Sequence, residues 1–79
     1  MDEKVKKLRE CEGKVVKLWY NGSDLPNGVV GPQELVGLIT NVGIHECKID
    51  LEDYPNTTLV IDDIDVDSIQ VYVEKENNF

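Results

Sequence analysis

The sequence has few of the residues on which small catalytic and metal-binding domains depend. Its 79 residues include one histidine and two cysteines, and neither CxxC nor HxxxH spacing occurs. No second histidine is present to pair with a nucleophile, no glycine-rich phosphate loop leads into a helix, and no serine stands in an elbow motif. We therefore predict that the protein is not an enzyme and uses no cofactor.

Cysteines and long hydrophobic runs are also scarce. A small secreted domain usually carries about four or more cysteines, whereas this chain has only Cys11 and Cys47, which we expect to be reduced. The longest apolar stretches are four or five residues, far from the roughly 20 that a membrane span needs. The charged start DEKVKKLRE lacks the apolar segment of a signal peptide. These absences favour a cytoplasmic location.

The candidate metal ligands form incomplete sets. His45 and Cys47 would share one face of a strand, and Cys11 could approach from a helix. Three ligands do not complete a structural zinc site, so a partly buried histidine beside a small buried cysteine is the preferred interpretation. The acidic cluster comprises Asp62, Asp63, Asp65 and Asp67. It lacks the central glycine and terminal glutamate of a calcium loop, and we predict a solvated acidic face without metal.

Basic residues are nearly absent beyond residue 20. Residues 1–20 contain six Lys and Arg against four acids, a balance of +2, whereas residues 21–79 contain two against twelve, a balance of −10. Such a field repels nucleic-acid phosphates and attracts basic partners. A charge that only keeps a small protein soluble is the alternative explanation.

The chain is expected to fold as a single domain over residues 1–79, since 41% of its residues are hydrophobic. A short helix is predicted over about 2–12, capped by Asp2 and ended by Gly13. Only two or three apolar residues lie on one face of this helix, so it should lie over one end of the domain and add little stability alone.

Alternating patterns predict five strands in the region from about 14 to 73. They cover 14–20, 35–42, 45–51, a segment from Thr57, and 68–73. The segment 21–34 is rich in turn residues, so we predict a mobile loop that contributes to a binding surface. The acids at 62–67 should form a single helical turn or tight bend, and the tail 74–79 has no periodic pattern and is predicted to be flexible.

The side chains that face the core can be predicted for two of these strands. In the third strand these residues are His45, Cys47, Ile49 and Leu51. In the fifth strand they are Ile69, Val71 and Val73, with Tyr72 outside. The first strand is ambiguous, because both of its alternating sets are largely apolar.

The order of elements resembles small SH3-like and Sm-like barrels. The segment LRECEGKVVKLWYNG resembles an Sm first strand, GLITNVGIHECKIDLED the first Sm motif and LVIDDIDVDSIQV the second. The bacterial YolD-like family, with a WY-type first strand and a closing pattern like VIDDI, is similar at about the same level. The resemblance implies an all-β, five-stranded SH3-like/Sm-like barrel with a short N-terminal α-helix.

The residues that bind RNA in Sm proteins are not matched. Lys48 stands at the position of the family's Asn, the Asp position falls near Gly43 or Ile44, and Asp62 and Asp63 replace the Arg-Gly pair. Two anions in place of a phosphate-binding cation argue against nucleic acid as a ligand. Sm-like domains also assemble into rings, whereas the acidic cluster here favours a monomer or small homo-oligomer.

Exposed aromatic residues provide the remaining indication of function. If Val16, Leu18 and Tyr20 point inward, Trp19 lies outside; packing of Trp19 under the helix is the alternative. The candidate binding residues are Trp19, Tyr54, Tyr72, Asp62, Asp63, Asp65 and Asp67. They predict a non-enzymatic acidic module that binds a basic protein partner. A regulator, or an inhibitor that mimics nucleic acid as some phage-encoded proteins do, is a more specific form; an Sm-like RNA- or DNA-binding protein is the alternative.

Overall fold

The computed structural model describes residues 2–23, 25–29 and 31–72. The elements are α1 (Glu3–Glu10), β1 (Val15–Tyr20), β2 (Gln33–Val42), β3 (Glu46–Leu51), β4 (Thr57–Val60), a 3-10 turn (Ile61–Asp63) and β5 (Ile64–Val71). The strands form one antiparallel sheet in the order β4-β3-β2-β1-β5. The predicted mostly-β fold with a short N-terminal helix is therefore confirmed, and within the described residues the sheet does not close. Val73 and the tail 74–79 lie outside these residues.

Helix α1 forms for the reasons that the sequence suggests. The Asp2 carboxylate accepts a hydrogen bond from the Lys4 backbone N–H at 2.8 Å, which satisfies one of the free donors of the first turn. Val5 and Leu8 are buried, and Gly13 has a φ of 85°, the left-handed conformation that follows many helices. Among the described residues, no helix is long and apolar enough to cross a membrane.

The inner face of the sheet is defined by β1. Val16, Leu18 and Tyr20 are 0%, 1% and 0% exposed, so this set faces the core and the other set faces outward. The rest of the core comes from every element: Val5, Leu8, Cys11, Leu25, Leu35, Ile39, Val42, Cys47, Ile49, Leu59, Ile61 and Ile64. The ambiguity between the two apolar sets of β1 is thereby removed.

Tyr20 links the end of β1 to β4. Its hydroxyl oxygen accepts a hydrogen bond from the Val60 backbone N–H at 3.0 Å. The ring also contacts Gly22, where an added Cβ would lie 2.6 Å from the ring. A buried tyrosine needs a partner for its hydroxyl, and this bond provides one while holding two strands that are not neighbours in the sheet.

The connection after β1 is shorter than predicted and is anchored. Gln33, placed in the loop by the sequence, begins β2. Leu25 is buried in the core, and the Asn27 side chain both donates to Gln33 Oε1 at 2.9 Å and accepts from the Val29 N–H at 3.0 Å. The loop that the sequence predicts to be mobile therefore contacts the rest of the domain through the buried Leu25 side chain and the Asn27 side-chain amide.

Strand β5 begins earlier than predicted, and two inward assignments were wrong. The 3-10 turn covers only Ile61–Asp63, so Asp65 and Asp67 belong to β5 rather than to a bend. Val71 is exposed, because it lies at the strand end beyond the core. His45 is also exposed and lies in the turn before β3, so the strand alternation does not extend to it.

Candidate binding face around Trp19

The predicted binding residues are accessible but do not form one cluster. Trp19, Tyr54 and Tyr72 are 41%, 38% and 42% exposed. Three of the aspartates are exposed and Asp63 is half-buried. The structure brings one aromatic and one acid from this set together, and it places the others at separate positions.

Trp19 lies between two carboxylate-bearing residues on neighbouring strands. Its register partner on β2 is Glu34, and its register partner on β5 is Asp65. Residues directly opposite each other in antiparallel strands have Cβ atoms about 4.5 to 5.5 Å apart and point to the same side of the sheet. An exposed indole is therefore flanked on both sides by acids.

An irregularity in the pairing of β1 with β5 places Asp65 at this position. The pairing of Lys17 with Gln70 and of Trp19 with Asp65 shows a register shift between the two rows. Ser68 supports the shift, because its hydroxyl accepts from the Trp19 N–H at 2.9 Å and donates to the Asp65 carbonyl at 2.6 Å. One hydroxyl thus fixes the backbones of both Trp19 and Asp65.

The indole also has a partner that orients it. Trp19 Nε1 donates to Asn21 Oδ1 at 3.1 Å, and the Asn21 backbone N–H donates to the Asp63 carbonyl at 2.8 Å. The polar edge of the ring is therefore occupied within the protein. Its apolar surface is the part available to a ligand.

The next row of the sheet extends the exposed surface. Lys17 lies opposite Val36 on β2, and Val36 is 44% exposed. Lys17 Nζ lies 3.8 Å from Glu34 Oε2, a long pair between partly exposed groups that contributes little to stability. We define the Trp19 face as Trp19, Glu34, Val36 and Asp65.

The sequence interpretation missed Glu34 and Val36. The segment before Glu34 is dense in glycine and proline, which predicts a loop that extends to Glu34. Glu34 and Val36 alternate with the buried Leu35, and this pattern could have extended the predicted second strand back to Glu34. Its placement opposite Trp19 depends on the hairpin register, which no local pattern specifies.

The other predicted aromatic residues lie elsewhere. The Tyr72 N–H donates to the Val15 carbonyl at 2.9 Å, so Tyr72 lies beside the opposite end of β1, about 13 Å from Trp19 at the usual rise per residue. Tyr54 lies in the turn between β3 and β4. Neither belongs to the Trp19 face.

Two of the predicted acids contact helix α1. Lys7 Nζ lies 3.3 Å from Asp67 Oδ1, and Lys4 Nζ donates to the Asp62 carbonyl at 3.0 Å. These contacts bring the basic N-terminal segment against the acidic segment that follows β4. The Asp67 carboxylate is therefore paired with Lys7, whereas the Asp65 carboxylate, which accepts from the Asp67 N–H at 3.2 Å, lies beside Trp19.

Both cysteines occupy buried positions in the core. Cys11 and Cys47 are both free and buried. Burial raises the pKa of Cys47 from 9.0 to about 11, and burial also raises that of Cys11, opposed by the charge of Lys14. Within residues 2–23, 25–29 and 31–72, no three His, Cys, Asp or Glu side chains are grouped so as to hold a metal ion. His45 and Cys47 do not share a face, because one is exposed and the other buried.

Comparisons with known proteins provide no family. No protein-family model matches the chain, and neither the curated proteins nor the solved structures contain a match. The geometry of the Trp19 face is therefore the basis for the functional argument.

Proposed function

We propose that this protein is a non-enzymatic interaction module that binds a Lys- or Arg-bearing segment of a protein partner on the Trp19 face. The observation that carries the proposal is an exposed indole with Glu34 and Asp65 as its partners on both neighbouring strands. A cation over the indole is attracted by the ring, by Asp65 and by Glu34, whose carboxylate also faces Lys17 Nζ at 3.8 Å.

Each interaction expected between a basic segment and the Trp19 face is weak, and several of them act on the same cation. A cation over an exposed tryptophan contributes about 0.5 to 1 kcal/mol, and more when water is excluded. Hydrogen bonds between a guanidinium group and a carboxylate are stronger than neutral ones. The net charge of −8 raises the rate at which a basic segment encounters the face. A partner with several basic residues is thus favoured over a neutral one.

A nucleic-acid ligand is the second candidate, since an exposed tryptophan can stack on bases. The same two acids that attract a cation would repel the phosphate backbone. This argument favours the basic protein partner. An inhibitor that mimics nucleic acid is the more specific form of the proposal, in which the acidic surface occupies the basic groove of an enzyme.

We also propose that the sheet curls into a small SH3-like/Sm-like barrel. Support comes from the pairing of β1 with both β2 and β5 and from the Tyr20 hydroxyl, which joins the end of β1 to the edge strand β4. A monomer or small homo-oligomer and a cytoplasmic location stay predictions.

The test uses the single tryptophan of the chain. Trp19 fluorescence is titrated with capped hexalysine, hexa-arginine and hexaglutamate, and with single-stranded DNA and RNA oligonucleotides at low ionic strength. We expect a saturable change with the basic peptides that weakens as salt is added, and no change with hexaglutamate or the oligonucleotides. Binding of an oligonucleotide but not of the basic peptides would contradict the proposal and support the second candidate.

A further inference from the structure

The outer edge of β4 presents backbone hydrogen-bonding groups away from the sheet. Strand β4 is the last strand of the sheet in the described residues, with β3 as its neighbour. The Ile61 N–H donates to the His45 carbonyl at 2.9 Å, while the Val60 N–H points the other way, to the Tyr20 hydroxyl. Since backbone direction alternates along a strand, the Thr58 N–H and C=O also point away from β3.

The opposite edge of the sheet carries several features that limit strand pairing. Strand β5 carries Asp65 and Asp67, has an irregular register with β1, and is contacted by α1 through Lys7. Charges, bulges and a covering helix are the devices that protect exposed edges. Strand β4 has the sequence TTLV, without charge, and its register with β3 is regular.

A groove is lined by residues of the β4 edge, whose Val60 N–H is already bonded to the Tyr20 hydroxyl and whose Thr58 N–H and C=O point outward. It has a volume of about 540 Å³ and is lined by Pro26 of the loop after β1, the turn 53–57, and Thr58, Val60 and Glu46. Tyr54 and Val60 are each 38% exposed and supply apolar surface. Glu46 and Asp53 are exposed carboxylates in the same lining. Edge backbone groups, apolar contacts and two carboxylates therefore meet in one place, where Lys48 Nζ, which donates to Thr58 Oγ1, is a neighbouring cation.

We infer that this groove binds an extended segment of a partner polypeptide, which adds to β4 as a sixth strand and places Lys or Arg side chains near Glu46 and Asp53. Strand addition derives affinity from main-chain hydrogen bonds and specificity from alternate side chains. The groove is separate from the Trp19 face, so this inference does not depend on the proposed function.

Charge argues for a foreign basic segment rather than a second copy of this chain. Each copy has a net charge of −8. Pairing of β4 with the β5 edge of another copy would bring Asp65 and Asp67 toward Glu46 and Asp53. Such like-charge contacts oppose association, whereas a basic segment would neutralise them.

The experiment follows assigned amide resonances of the whole chain while a capped peptide of alternating Lys and Val is added. The Glu/Val counterpart and a Lys/Val peptide N-methylated at every peptide bond serve as controls. We expect the Thr58 amide to shift and its exchange with solvent to slow by about tenfold or more. We expect the N-methylated peptide to bind more weakly by a factor of about ten or more, because it has no backbone N–H to donate to the β4 carbonyls.

Two variants separate this site from the Trp19 face. Thr58→Pro removes the outward N–H without removing a backbone hydrogen bond to β3, which edge strands tolerate, and should abolish the effect of the peptide on the groove; Thr58→Val, which loses only the hydroxyl that accepts from Lys48 Nζ, is its control. Glu46→Gln with Asp53→Asn tests the charge contribution without changing the backbone. Both variants should retain any change of the Trp19 indole resonance that the peptide causes.

Several outcomes would overturn the inference. They are equal binding of the N-methylated peptide, equal binding of the Glu/Val peptide, or resonance changes that are confined to Trp19 and its neighbours. A concentration-dependent shift of the Thr58 amide without peptide would show that a second copy occupies the edge, and would contradict the proposed occupant.

Discussion

The two faces of strand β1 have opposite roles although their compositions are similar. Val16, Leu18 and Tyr20 are almost completely buried, whereas Trp19 is exposed and Lys17 is partly exposed. The inner set packs on side chains from all other elements of the sheet. The outer set lies opposite Glu34, Val36 and residues of β5. One strand thus supports the fold with one face and carries the proposed binding surface on the other.

This difference follows from register, not from hydrophobicity. A shift of one residue would exchange the two sets, because side chains alternate along a strand. Leu18 and Trp19 are both large and apolar, yet only one is in the core. If the inner face supports the fold and the outer face does not, substitutions on the inner face should lower the free energy of unfolding more than substitutions on the outer face.

The largest effect is expected for truncation on the inner face. Leu18→Ala should lower the free energy of unfolding by about 2 to 5 kcal/mol, because it removes buried apolar contacts and leaves a cavity. Val36→Ala, on the outer face, is the matched control and should change it by about 0.5 kcal/mol or less. Urea unfolding followed by circular dichroism measures both. Similar losses of unfolding free energy for the two variants would show that both faces of β1 contribute equally to stability.

A smaller effect is expected for Tyr20→Phe. This change keeps the buried ring but deprives the Val60 N–H of its acceptor. The hydrogen bond is part-buried, so its loss should cost about 1 kcal/mol, and the Val60 amide should exchange faster with solvent. Urea unfolding and hydrogen exchange measure the two effects. An unchanged exchange rate at Val60 would show that the hydroxyl does not hold β4.

A pH-dependent effect is expected for Cys47, which packs in the same core. Its folded-state pKa of about 11 lies above the ordinary value of 9.0. The folded state therefore favours the protonated thiol, so its contribution to stability is complete below pH 9 and is lost as the pH rises toward about 11.

The measurement compares the wild type with Cys47→Val. Between pH 9 and about 11 the variant should lose less stability than the wild type, since it has no thiol to ionise. At neutral pH, the native Cys47 should react with a thiol reagent only after unfolding. Rapid labelling of the native protein at Cys47 would show that the inner face is open to solvent.

Much of the fold was predictable because its signals are local. The Asp2 cap, Gly13 and the alternation of β1 and β3 lie within short segments, and the structure agrees with the elements that they predict. The anchoring of the loop by Leu25 and the early start of β5 were not predicted. Both depend on contacts between segments distant in sequence, here with the core and with Trp19 through Ser68.

The candidate site was predicted only in part for the same reason. The exposure of Trp19 followed from alternation once the inner set was chosen, and Asp65 belonged to an obvious acidic cluster. Glu34 was missed because its position opposite Trp19 depends on pairing. Tyr72 and Tyr54 were grouped with Trp19 by residue type alone, and the topology separates them.

The most direct test of the Trp19 face changes its charge without changing its shape. Glu34→Gln with Asp65→Asn is compared with the matched control Glu3→Gln with Glu52→Gln, which alters the net charge equally at two other exposed positions. Binding of capped hexa-arginine is measured by calorimetry at low salt. We expect the first pair to weaken binding by about tenfold or more and the control by about twofold or less. Equal weakening in both would show that the net charge, and not the Trp19 face, attracts the peptide.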